Sequence, residues 1–106
     1  MGIDYSWKTA SGKEIDYYIC DKTALWELFH FLIYRHPQEH EDGLCEIEMN
    51  YNDARLYLEM NRYIDLENTE NDLIDAKIYL FRAIKFLFEQ EEFDFRKESL
   101  IIEFNW

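Results

Sequence analysis

The sequence predicts a small α+β domain of order ββαββαβ, an antiparallel-rich sheet with two helices packed on one face. Three observations lead there. Alternating apolar and polar residues recur at 3–8, 14–20, 44–51 and 55–61, with a short apolar run at 99–104, as strands require. Stretches 22–36 and 71–90 carry apolar residues three and four apart, the stripe of a helix lying on a core. Three glycines and one proline in 106 residues are too few for the turns of an all-β sandwich.

Residues 3–8 alternate around Tyr5 and Trp7, and residues 14–20 around Ile15, Tyr17 and Ile19. Gly12 between them suits the positive φ of a hairpin loop, so 3–20 reads as a β-hairpin. Asp21 or Thr23 offers an oxygen to cap the next helix. Leu25, Leu28, Phe29, Leu32 and Ile33 form its stripe, and Trp26 and Phe31 widen it. Pro37 ends it by pushing His36 out of the α region.

After a polar loop, Cys45, Ile47, Met49 and Tyr51 alternate with Glu46, Glu48 and Asn50. Asn52-Asp53 is a turn signal, beyond which Leu56, Leu58 and Met60 alternate with Arg55, Tyr57, Glu59 and Asn61. The pattern reads as a second hairpin, 44–51 with 55–61. The rival reading is a helix starting after Asn52 or Asp53.

An acidic connector leads to the strongest helix, over 71–90. Its seam is Leu73, Ala76, Leu80, Ile84 and Leu87, broadened by Ile74, Phe81 and Phe88. Thr69 and Asp72 have capping-box spacing, and Asp72 and Asp75 suit the positive end of the helix dipole. Glu89, Glu91 and Glu92 oppose its negative end, which predicts fraying. Residues 99–104 read as a final buried strand. Residues 1–106 suit one compact domain in length.

Hydrophobic residues form 48% and aromatic residues 18% of the chain, too much apolar surface for a disordered acidic tail. The net charge is −12, and residues 39–75 hold most of it: twelve acids against two bases, a balance of −10. Nucleic acids and anionic membranes are bound largely through Lys and Arg, so this charge excludes direct binding to either. It favours a basic protein partner, with long-range attraction speeding encounter.

In the second-hairpin reading, Glu46, Glu48, Tyr57 and Glu59 share one outward face. With Asp53, Tyr63, Asp65, Glu67 and Glu70 they make the candidate protein-binding surface. Glutamates two apart on a strand stand ~6.6 Å apart, a regular array of anions, and tyrosine is enriched at interfaces. The plainer reading is a surface kept charged for solubility, but such surfaces intersperse both signs.

No GxSxG, P-loop, GxGxxG or HExxH is present, so the chain is read as a non-enzyme without cofactor. His36 and His40 stand four apart, a zinc-ligand spacing on a helix, but Pro37 lies between them and no metal is expected. Asp65, Glu67 and Thr69 imitate the start of an EF-hand, yet Glu70 and Ala76 replace its glycine and glutamate. Cys20 and Cys45 fall at inward-reading strand positions and read as reduced core thiols of a cytoplasmic protein. Gly2 and Ser6 match the opening of a myristoylation signal, though Tyr5, Ser6 and Trp7 read as strand. Nothing near the N-terminus resembles a signal peptide, and no apolar run approaches the ~18 residues of a membrane span.

In size and composition the chain resembles small acidic inhibitors: nucleic-acid mimics such as phage anti-CRISPR and anti-restriction proteins, and immunity proteins that neutralise nuclease toxins. The resemblance carries no motif and assigns no residue. It implies an inhibitor that occupies the basic groove of a nucleic-acid-processing enzyme. The alternatives are an immunity or antitoxin protein bound to a cognate toxin, and a small metal-binding domain or enzyme using His36 and His40.

Overall fold

The computed structural model describes residues 2–37, 43–64, 71–90 and 93–106. Its elements are β1 (Asp4–Thr9), α1 (Lys22–Arg35), β2 (Leu44–Met49), α2 (Tyr51–Met60), α3 (Asp72–Glu89) and β3 (Leu100–Asn105). The class is α+β, as the sequence predicts, but the described order is βαβααβ, with three helices and a three-stranded antiparallel sheet. β3 lies in the middle and pairs with both β1 and β2.

Alternation decides which residues of each strand enter the core. Trp7, Ile102 and Ile47 form one buried row across the sheet, and Thr9, Leu100 and Met49 the next. α1 packs against both edge strands and α3, burying Leu25, Leu28, Phe29 and Leu32. Its cap is Asp21, whose carboxylate accepts from the Ala24 N–H at 2.9 Å. α3 buries Ala76, Leu80, Ile84 and Leu87 of the expected seam. Leu73, in the first turn, is exposed instead, and Ala83 joins the seam in the core. Asn71 caps α3, and Thr69 lies outside the described residues.

The first hairpin does not form as read. Lys8 and Glu14 make a single bridge, and residues 15–20 carry no strand. Ile15 and Ile19 are nevertheless buried, so the alternation reported burial correctly. Side chains of β1 replace the missing ladder: Trp7 Nε1 donates to the Tyr17 carbonyl at 2.9 Å, and Ile19 N–H donates to the Tyr5 hydroxyl at 2.6 Å. Burial pushes the Tyr5 hydroxyl up to about 12 in spite of that N–H. Cys20 is exposed, so of the two cysteines, both unbridged, Cys45 alone is a core thiol.

The second hairpin is also corrected: the stretch after Asn50 is the helix α2. Asn50 caps it, and the box is reciprocal, Asp53 N–H donating to Asn50 Oδ1 and Asn50 N–H to Asp53 Oδ2, each at 2.9 Å. These bonds fix the first turn of a helix, where the sequence had suggested a hairpin turn. Ala54 and Tyr57 then face inward, and Met60 is exposed.

Tyr57 sits edge-on to Phe31 with ring centroids 5.1 Å apart. Among the described residues its buried hydroxyl has no hydrogen-bond partner, and burial, with the Glu27 charge, pushes its pKa well up. Replacing Tyr57 by phenylalanine removes an unsatisfied polar group and keeps the ring. The expected change is between zero and about 1 kcal/mol of added stability, read from urea midpoints. A clear loss would show that the hydroxyl is bonded after all.

Gly43 opens β2 with φ +83°, and a Cβ there would stand 2.8 Å from the Trp106 carbonyl oxygen. Glycine therefore lets the start of β2 lie against residue 106, whose N–H donates to the Gly43 carbonyl at 3.1 Å. No helix among the described residues is long and apolar enough to cross a membrane.

Candidate protein-binding face

The alternation that buries one face of the sheet turns the other outward. From β1 it presents Asp4, Ser6 and Lys8, from β3 Ile101, Glu103 and Asn105, and from β2 Leu44, Glu46 and Glu48. Register places Ser6, Glu103 and Glu46 in one row and Lys8, Ile101 and Glu48 in the next. Glu46 and Glu103 are thus directly opposed, a like-charge pairing that costs a sheet stability.

Lys8 shares this face with the carboxylates, in the row of Glu48. Glu48 accepts from the Ser99 hydroxyl at 2.5 Å, and Glu103 from Asn105 Nδ2 at 3.5 Å, both neutral donors. Asp4 is held by Lys22 at 2.8 Å. A depression of about 230 Å³ opens on this face between Glu46, Glu103, Lys8 and Glu14, and Ile15 and Tyr18 also line it. The Tyr18 ring is exposed at its edge. Such a surface offers acceptors for guanidinium and ammonium groups and an aromatic flank for them to stack on.

The structure scatters the residues that the sequence grouped. Glu46 and Glu48 lie together on the open face. Glu59 is on α2, 3.2 Å from Arg62, and the exposed Tyr63 lies beneath that guanidinium at 4.7 Å. Tyr57 is in the core, so it does not share an outward face with the glutamates. Asp65, Glu67 and Glu70 lie outside the described residues. Glu103 was missed because its strand was read as wholly buried. The signal was available, since Leu100, Ile102 and Phe104 alternate with Ile101, Glu103 and Asn105.

Asp53 has a different role from the one expected of it. It is fully buried and bonded on every side. Arg35 Nε stands 2.6 Å from Oδ1, and His36 Nε2 lies 2.8 Å from both oxygens. Burial would raise its pKa, but Arg35, the Asn50 N–H and His36 outweigh it and hold the carboxyl below its usual range. The charge is absorbed in joining the end of α1 to the start of α2.

His36 is therefore committed to Asp53, and His40 lies outside the described residues. Among the described residues, no group of three His, Cys, Asp or Glu side chains could hold a metal ion. No family model, no curated protein and no solved structure gives a significant match to this chain.

Proposed function

We propose that this protein is a small acidic inhibitor that binds the basic nucleic-acid groove of a nucleic-acid-processing enzyme, using the open face of its sheet. The observation that carries this reading is the opposition of Glu46 and Glu103, with Glu48 beside them, on a face turned away from the core. Three carboxylates on adjoining strands of an outward face give a cluster of acceptors suited to the Lys and Arg side chains of a basic groove. Along β2 their spacing of ~6.6 Å is of the same order as that between successive phosphates of a nucleic-acid strand.

The mechanism is occlusion. Complementary charge speeds encounter, and the carboxylates then occupy the Lys and Arg side chains that would otherwise hold phosphates. No catalytic step or cofactor enters this reading. The unbridged Cys20 and Cys45 support action in the cytoplasm, where thiols stay reduced.

The test starts with immobilised protein and a host lysate. A captured nucleic-acid-binding enzyme is purified, and its complex with labelled DNA or RNA is titrated with this protein. Displacement is expected, with an affinity that falls about tenfold or more as screening length shrinks from low to high salt. An enzyme that keeps its nucleic acid in a ternary complex, or binds equally well at all salt concentrations, would sink the reading.

A further inference from the structure

We propose that the groove between α2 and α3 is a second docking site, taking a short acidic segment of a partner protein with an apolar anchor. The two helices meet with Tyr51 against Phe88, ring centroids 5.5 Å apart. Beside that contact lies a groove of about 300 Å³, with Leu58, Phe81 and Phe88 as its apolar residues. All three are half-buried, packed on the core from below and open above. Arg55 and Arg62 of α2 and Lys85 of α3 line it, along with Glu59.

The charges say what covers this floor. Arg62 is paired with Glu59 at 3.2 Å. Among the described residues, Arg55 and Lys85 have no hydrogen-bond or ion-pair partner, although the chain holds 23 acids against 11 bases. Lys22 holds Asp4, Arg35 holds Asp53 and Lys77 holds Glu27, while Lys8 and Lys97 are open like Arg55 and Lys85 but do not line this groove. Acids are abundant in this protein, so two open cations beside an apolar strip fit an anionic visitor. A further hollow of about 310 Å³ shares Phe88 with the groove, and Arg96 lies 5.8 Å above Tyr51 there.

An apolar strip with cations beside it is the complement of a segment that sets carboxylates around an aromatic or branched side chain. A nucleic-acid strand fits less well. It carries a charge at every nucleotide and meets the field of a protein whose net charge is −12. A peptide brings two or three charges only where Arg55 and Lys85 can receive them. The groove uses no residue of the sheet face, so this inference does not rest on the inhibitor reading.

The probe is a fluorescein-labelled peptide of about twelve residues, ~18 Å if helical, with a Leu-Phe anchor flanked by glutamates. Fluorescence anisotropy with the full chain should saturate. Affinity should drop about tenfold or more in the R55E/K85E variant, less in R55Q/K85Q, and about tenfold when glutamine replaces the peptide's glutamates. Both side chains are exposed, so circular dichroism and melting should match the parent. Failure to saturate, or equal binding by the reversed variant, overturns the proposal. So does tighter binding of a single-stranded oligonucleotide of similar length, or a dimer in sedimentation that leaves no site for the peptide.

Discussion

Replacing Asp53 by alanine should lower stability by about 3 kcal/mol, which for a domain this size moves the melting temperature by on the order of 10–20 °C. Three attachments go at once. The capping box loses its return bond to the Asn50 N–H, typically worth about 1 kcal/mol. Arg35 and His36 lose a shared acceptor, and bonds to charged groups contribute about 1.5–3 kcal/mol. Arg35 and His36 are each about a third exposed at 28% and 35%, so both turn toward water, and the loss stays below that of a wholly buried pair. Urea unfolding of the parent and the alanine variant measures it. A change within about 0.5 kcal/mol would mean that Asp53 does not hold α1 to α2.

The same carboxylate ties stability to pH. Its folded pKa lies below the ordinary 3.8, so its contribution is present above that value. It is lost as pH falls from there through the lower folded value, where Asp53 takes up its proton. Unfolding midpoints of the parent should therefore decline in that acid window, and those of Asp53→Asn should decline less.

Reversing Glu46, Glu48 and Glu103 together to lysine should weaken binding to the captured enzyme about a hundredfold or more. Juxtaposed like charges at an interface cost several kcal/mol, and about 1.4 kcal/mol is a factor of ten. All three point away from the core, so the fold should survive. Circular dichroism serves as the control. Reversing Glu89, Glu91 and Glu92 changes as many charges elsewhere in the chain and should do less. If that second reversal destroys binding and the first does not, the contact surface lies elsewhere. If neither matters, the charge serves solubility alone.

What was legible in the sequence follows from which physical signal was local. α1, β2, α3 and β3 each carry a period long enough to read, and Asp21 and Pro37 bracket α1 from within its own neighbourhood. α2 was hidden because it spans ten residues, in which Leu56, Leu58 and Met60 imitate a strand. The decisive sign was Asn50 three residues before Asp53, a capping box with aspartate in place of glutamate. Residues 14–20 misled in the opposite sense: their burial was real, but a tyrosine hydroxyl and an indole N–H of β1 supplied bonds that a ladder would have given. The candidate face was half legible, since Glu46 and Glu48 stand alone in sequence until β3 brings Glu103 across from them. Asp53 was illegible as a core residue, because nothing local shows that Arg35 and His36 will reach it.

The central place of β3 sets the order in which the sheet is completed. Asp4 and Leu44 both wait for Asn105, and Asp4 meets it across about a hundred residues of sequence. During synthesis, at about 5–20 residues per second, α1, α2 and α3 are all made before the sheet has its middle strand. Until residues 100–105 leave the ribosome, β1 and β2 have no ladder to join, beyond the single bridge at Lys8. Contacts of this range belong to the slow class of folding events. A nascent chain stalled before Leu100 exposes Trp7, Cys45, Ile47 and Met49 on two unpaired strands, a template on which other chains can add.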